Sequence, residues 1–575
     1  MVRRRVQEET GPMDIGEVTS DRPSGSGEGP LMKESGQVLE THGPHYNIHA
    51  FQIDLDRYVG EFNEKVIQAY TQGKGTDLPA DTGIARSLIP PGTGRLRDFS
   101  LVAPELPRFI AKNCVACMEC VNACPDTAIL GKVAEEAGVR AVVAELNGQQ
   151  DQDIGRRFEA DWIKTTKFHG VLEKAGEAGG LFTIYVDSTK CKGCGECVEV
   201  CGRHAALEMI PKTETLIDDY RDHFNHIQKL PETPERFLAR GLPVDHMLRE
   251  KDCLLYVGGA GSCAGCGEAT ALRMMLSVTG AVYPREEIGI IAATGCNTVY
   301  GSTYPFNPYR VTWSNSLFEN APTVAMGVRA RWNQQGLEGN RLWVLGGDGA
   351  MYDIGFQALS RMLASGMDIK VLILDTQVYS NTGGQASTST FMAQGAKMAP
   401  FGKEKKGKVE RRKEIANIAM MHPDIYVAQT STAFLNHFCQ VIREANEYPG
   451  PAVVNVYTTC QPEHGVADDL SSLQSRRAVN SRAFPLLIHD PRKGDSLRER
   501  ISLRGNPSST DDWMKDPKSG ALFTFVDFAR TEGRFARHFT SSGEPSEELL
   551  AAQQDRLKNW RLLRELAGQD ITAGS

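Results

Sequence analysis

Two patterns in this sequence predict an α/β chain in which a doubly wound domain is joined to a small α+β module. Between about residues 250 and 470, short apolar, β-branched runs alternate with helix-like stretches. That alternation predicts a mostly parallel sheet with its ligand at the carboxyl ends of the strands. Between residues 110 and 210, two tandem cysteine quartets lie beside short β-like runs, as in a compact α+β metal module.

In the larger region the expected strands are Ile288–Ala293, Leu342–Leu345, Val371–Leu374 and Ala452–Tyr457. Ala269–Thr279, Asp353–Ala364 and Ser431–Glu447 carry helical patterns between them. In the small module Ala128–Leu130 and Phe182–Val186 read as strands, and Val139–Ala144 in the insertion between the quartets reads as another. The domain plan is 1–45, rich in Gly, Ser, Pro and Glu and expected to be extended or disordered; 46–110, a linker packing on a partner, with a helix at Leu55–Tyr70; 111–210, the cysteine module; 211–470, the doubly wound domain; and 471–575, a polar extension read as an arm on a partner subunit, ending in a helix at Ser546–Leu566.

The chain has 575 residues, 41% of them apolar and 24% charged, and a net charge of −8. Its length calls for more than one core, and the mild net charge argues against nucleic acid as the main ligand, which would want a basic face. No apolar run reaches the roughly 20 residues that span a bilayer. The basic start Met-Val-Arg-Arg-Arg has no apolar segment after it, so no signal peptide is expected. Clustered C-x-x-C spacings without such a signal read as metal ligands in a reducing compartment, hence the cytoplasm.

Twelve of the 14 cysteines fall into three groups. Cys114, Cys117, Cys120 and Cys124, followed by Pro125, have the bacterial ferredoxin spacing, in which three thiolates wrap one cubane and the fourth reaches the other. One [4Fe-4S] cluster is therefore expected on Cys114, Cys117, Cys120 and Cys201, and a second on Cys191, Cys194, Cys197 and Cys124. A pair of zinc sites is the alternative, but zinc favours separated C-x-x-C pairs. The third group begins at Cys263-Ala-Gly-Cys266; Cys296 and Cys460 each follow an apolar strand and would meet it at the carboxyl edge of the sheet. On spacing alone a redox-active Cys263/Cys266 pair with buried structural thiols at Cys296 and Cys460 stays open. Cys253 and Cys439 read as ordinary core cysteines.

Gly347-Asp348-Gly349 joins a strand to a helix, and Asp375-Thr376 ends the next strand. Glycines let a diphosphate approach backbone N–H groups. Mg²⁺ wants an octahedral oxygen shell, to which Asp348, Thr376 and the carbonyl of Val378 could contribute. This reads as a thiamine diphosphate site.

At these residues the chain resembles the 2-oxoacid:ferredoxin oxidoreductases, pyruvate:ferredoxin oxidoreductase among them. The resemblance rests on Cys263-Ala-Gly-Cys-Gly-Glu268, Ala293-Thr-Gly-Cys296, Gly347-Asp-Gly-Ala-Met-Tyr-Asp-Ile-Gly355 and Asp375-Thr-Gln-Val-Tyr-Ser-Asn-Thr-Gly-Gly-Gln385, and covers about residues 100–575. It implies that Cys263, Cys266, Cys296 and Cys460 hold a third [4Fe-4S] cluster beside the thiamine. It implies cofactor contacts from Glu268, Gly347, Asp348, Gly349, Ala350, Thr376, Gln377, Val378, Tyr379, Ser380 and Asn381, with Asn381 at the reacting carbon. The implied activity is reversible, coenzyme A-dependent oxidative decarboxylation of a 2-oxo acid, with electrons passed to ferredoxin or flavodoxin. Pyruvate is favoured over 2-oxoglutarate because the tail from His489-Asp-Pro-Arg492 onward resembles that of pyruvate enzymes.

The family also needs a pyrimidine-binding and a coenzyme A-binding domain, for which residues 1–110 are too short. The chain therefore reads as a β-type subunit acting with an α-type partner in a hetero-oligomer such as (αβ)2. Its rivals are a non-catalytic electron-transfer subunit and a non-oxidative thiamine decarboxylase or synthase. The basic run Lys403–Lys408 with Arg411–Lys413 reads better as a solvated loop than as a docking patch, and His464 carries no assigned role.

Overall fold

The computed structural model describes residues 55–78, 90–148, 152–238, 243–301, 303, 305–400, 402 and 406–569. The expected extended segment 1–45 lies outside them. In the small module, β1 (Glu105–Phe109) pairs antiparallel with β4 (Leu207–Pro211), and β2 (Ile129–Glu135) with β3 (Gly180–Val186). Short helices Glu119–Ala123 and Glu196–Cys201 follow the cysteine loops. Val139–Ala144 is not a strand. It lies in the helix Glu136–Asn147, whose Val139, Val142, Val143 and Leu146 recur at helical spacing and are buried. β-branched residues are tolerated in a helix when that face packs on a core.

The large domain is built on an eight-stranded sheet. Six strands run parallel: β5 (Ile288–Ala293), β6 (Thr312–Ser316), β7 (Arg341–Gly347), β8 (Lys370–Asp375), β9 (Tyr426–Ser431) and β10 (Ala452–Tyr457). β11 (Leu487–His489) and β12 (Ile501–Ser502) extend one edge antiparallel, giving the order 12-11-9-10-8-7-5-6. β5, β8, β9 and β10 are buried along their whole length and β7 through its middle, as parallel strands covered on both faces require, whereas the edge strand β6 is largely exposed. β10, β8, β7 and β5 are neighbours in that order, so the loops leaving their carboxyl ends share one edge.

Two domain expectations need correction. The extension 471–575 is part of this chain's own fold, not an arm reserved for a partner. It supplies β11 and β12, and Leu557, Trp560 and Leu563 of the helix Glu547–Leu566 enter the core beside Leu359, Met362 and Val427. Its polar look is misleading, because Arg482, Arg534 and Arg564 are buried with their donors turned inward. In the linker, residues 90–97 pack on their own chain: Gly92 and Gly94 donate to the carbonyls of Tyr309 (2.7 Å) and Asn307 (2.9 Å).

The basic run is only partly solvated where it is described: Arg411 is exposed, whereas Lys408 and Arg412 are buried. Lys408 Nζ donates to the carbonyls of Ser387, Thr388 and Thr390 at 2.9–3.0 Å, and Arg412 pairs with Asp375. Residues 403–405 lie outside the described set. Among the described residues no helix is long and apolar enough to cross a membrane.

Candidate cofactor and cluster sites

The chain brings its cysteines together in three places. Cys114, Cys117, Cys120 and Cys201 ring one cavity; Cys124, Cys191, Cys194 and Cys197 ring another. Each loop turns through left-handed residues on both sides of its second cysteine: Ala116 (φ 58°) and Met118 (φ 66°) in one, Gly193 (φ 68°) and Gly195 (φ 83°) in the other. Non-glycine residues held there mark a loop constrained by its surroundings. Backbone N–H groups point at sulfur: Ala128 to Cys124 at 3.3 Å and Ala206 to Cys201 at 3.2 Å. Such bonds tune cluster potentials.

Among the described residues no three His, Cys, Asp or Glu side chains converge as a single metal ion requires. Four thiolates on one zinc would stand about 3.8 Å apart, given a Zn–S distance of about 2.3 Å. Four cysteines ring each cavity, the ligand set of a four-iron cubane.

Burial pushes Cys114 up to about 11 and Cys191 and Cys460 up to about 12. A metal must displace those protons. Without iron, the stability gained by keeping the thiols neutral is full below the unfolded value, near pH 8.5. It is lost as pH rises through the folded values of about 11 and 12. The denaturation midpoint of cluster-free protein is expected to fall between about pH 8 and pH 10.5, and that of cluster-loaded protein to hold; equal falls would count against metal ligation.

The third group meets at the sheet edge. Cys266 precedes the buried helix Gly267–Gly280, Cys296 follows β5, and Cys460 follows β10. They are close enough that charge on Cys263, Cys266 and Cys460 helps raise Cys296, after burial and Glu268.

Cys296 also lines the neighbouring cavity, with Glu268, Gly347, Asp348, Gly349, Ala350, Thr376, Val378, Tyr379, Ser380 and Asn381. Thr376 Oγ1 lies 3.2 Å from Asp348 Oδ1 and 3.1 Å from the Val378 carbonyl. Neighbouring corners of an octahedron about Mg²⁺ are about 2.9 Å apart, from Mg–O of about 2.05 Å, so these oxygens are arranged as adjacent ligands. Ser387 and Ser389 hydroxyls donate to Asp348 Oδ2 at 2.5 and 2.6 Å. Burial and the Asp375 carboxylate push Asp348 up; a divalent cation would reverse that.

Glu268 is buried, its Oε2 has no hydrogen-bond partner, and it faces the cavity. Burial, then the Asp348 charge, raises it to about 8. Such an orphan calls for a polar ligand group. Asn381 is exposed at the mouth. These residues fit a diphosphate-bearing cofactor with its metal.

Gln377 departs from expectation, since its side chain turns away from the cavity. Its backbone is left-handed (φ 58°), its amide N–H donates to Asp375 Oδ1 (3.2 Å), and its Oε1 accepts from Arg534 (2.9 Å). Asp375, which stands where many thiamine enzymes carry asparagine, is likewise drawn inward by Tyr352 Oη (2.7 Å) and Arg412. His464, without a role in the sequence reading, braces the loop through Nε2 on the Thr376 carbonyl (2.9 Å).

Residues 293–456 match the thiamine pyrophosphate enzyme C-terminal TPP binding domain, and residues 113–205 the 4Fe-4S dicluster domain. An Escherichia coli (strain K12) protein named probable pyruvate-flavodoxin oxidoreductase is 27% identical over 88% of this chain and 45% of its own length. The pyruvate:ferredoxin oxidoreductase of Moorella thermoacetica is 27% identical over 88% of this chain and 46% of its own length. The chain is similar to pyruvate:ferredoxin and pyruvate-flavodoxin oxidoreductases over most of its own length. It spans less than half the length of these relatives.

A solved 2-oxoglutarate:ferredoxin oxidoreductase from Magnetococcus marinus, 21% identical, covers 35% of this chain and 65% of its own, at a TM-score of 0.32, too low to carry weight. In this chain the sequence reading missed Ser387 and Ser389 as supports of Asp348. The hydroxyl run Ser387-Thr-Ser-Thr390 was the available signal. Arg534, more than 150 residues from Gln377, left no local signal.

Proposed function

We propose that this chain carries the thiamine and electron-transfer part of a coenzyme A-acylating pyruvate:ferredoxin or flavodoxin oxidoreductase. The observation behind this is that Cys296 belongs both to the third thiol group and to the cavity of Glu268 and Asp348, so an electron acceptor would stand against the reacting cofactor. Asp348, Thr376 and the Val378 carbonyl hold Mg²⁺, and Gly347, Gly349 and Ala350 leave the backbone open to the diphosphate. Thiamine diphosphate held there would supply a nucleophilic carbon and an electron sink for decarboxylation of a 2-oxo acid.

Glu268, protonated up to about pH 8, can donate as well as accept a hydrogen bond to the cofactor. Asn381, at the mouth, orients the substrate. The three thiolate groups hold three [4Fe-4S] clusters, through which electrons pass to ferredoxin. An α-type chain brings the pyrimidine-binding and coenzyme A-binding parts, in a hetero-oligomer such as (αβ)2.

The test is anaerobic purification with any partner chain, followed by reduction of methyl viologen. Reduction that requires both pyruvate and coenzyme A, in protein holding about twelve iron atoms in three cubanes, is expected. Decarboxylation without viologen reduction would sink the reading.

A further inference from the structure

Two charged side chains key the small module to the large domain, and both lie inside one cysteine loop, Cys191-Lys-Gly-Cys194-Gly-Glu-Cys197. The Lys192 side chain is 6% exposed and that of its partner Asp126 4%. Lys192 Nζ donates to Asp126 Oδ1 (2.7 Å), to the Ser262 carbonyl (2.8 Å) and to Ser262 Oγ (2.9 Å). Asp126 follows Cys124-Pro125, and Ser262 immediately precedes Cys263. One buried ammonium thus bonds to neighbours of ligands in both the second and the third thiol groups.

On the other flank, Glu196 accepts from the backbone of Ser471 (2.9 Å) and Ser472 (2.8 Å), the first turn of the helix Ser471–Asn480 that follows the Cys460 segment. The first quartet lacks this arrangement. Val115 and Glu119 stand at the equivalent positions, and both are exposed.

We propose that Lys192 is a positioning residue whose charge raises the potentials of the second and third cluster sites relative to the first. This rests on the reading above that both hold four-iron clusters. The step is a one-electron exchange: the site of Cys263, Cys266, Cys296 and Cys460 is oxidised as that of Cys124, Cys191, Cys194 and Cys197 is reduced. No bond or proton moves, and the reductant is the 2-oxo acid or, in the test, dithionite. A fixed cation in a poorly screened interior favours an added electron nearby, and net charge and hydrogen bonding set cluster potentials. Asp126 offsets part of that charge, so the two residues act in opposite directions.

The test is an anaerobic redox titration followed by EPR on the complete protein, native and as Lys192→Met, Lys192→Arg and Asp126→Asn. Lys192→Met is expected to lower the potential of the second or third cluster by at least tenfold in electron equilibrium, about 59 mV for one electron. Asp126→Asn should raise it, Lys192→Arg should stay near native, and the cluster of Cys114, Cys117, Cys120 and Cys201 should not move. Disturbed packing alone would not reverse sign between Lys192→Met and Asp126→Asn.

Equal shifts in Lys192→Met and Lys192→Arg, or unmoved potentials at native iron content, would overturn the proposal. If Lys192→Met loses iron, Asp126→Asn decides, and an unmoved potential there also overturns it. Native protein with about eight iron atoms instead of about twelve would remove the third cluster, and with it the reading beneath.

Discussion

Asp348→Ala is expected to abolish binding of thiamine diphosphate with Mg²⁺ while leaving the iron content intact. Asp348 is the one carboxylate among the three converging oxygens of the cavity, set 3.2 Å from Thr376 Oγ1. Mg²⁺ held without it would rest on neutral oxygens, which bind a hard dication weakly. Residues that merely orient metal ligands typically contribute 10–100-fold to affinity, so loss of the ligand itself should exceed roughly 100-fold. Ser387→Ala and Ser389→Ala, which remove donors to Oδ2, should each fall within that smaller range. Calorimetric titration of anaerobic protein with the cofactor, with and without Mg²⁺, measures all three. Undiminished binding in Asp348→Ala would place the cofactor elsewhere.

The second large effect concerns Cys263. Cys263→Ser is expected to cut iron and acid-labile sulfide from about twelve of each to about eight, since each quartet holds one four-iron cluster. The two clusters of the small module should persist, because the cavities of Cys114 and Cys191 are lined by other cysteines. Binding of thiamine diphosphate should also persist, because Cys263 does not line that cavity. Pyruvate-dependent viologen reduction should fall by more than about tenfold, the oxidant nearest the cofactor being gone. If iron stays at about twelve, Cys263 is not a ligand, and the alternative of a redox-active Cys263/Cys266 pair gains ground.

The sequence by itself determined the doubly wound fold and its four central strands. Those strands are short, largely apolar runs with no competing helical period, and the cysteine spacings are set by a cubane's geometry within a few residues. Local chemistry of that kind is written in adjacent positions. Val139–Ala144 shows where local reading stops, since the same valines serve a strand or a helix and only the face they bury decides.

Tertiary structure alone decided what supports the site. Asp375 faces Arg412, Gln377 is held left-handed against Arg534, and the polar tail closes the sheet as β11 and β12. Those partners lie tens to hundreds of residues away in sequence. A buried charge must find its counter-charge wherever the chain brings one, and nothing in the spacing of a polar segment says which of its arginines will be drawn inside.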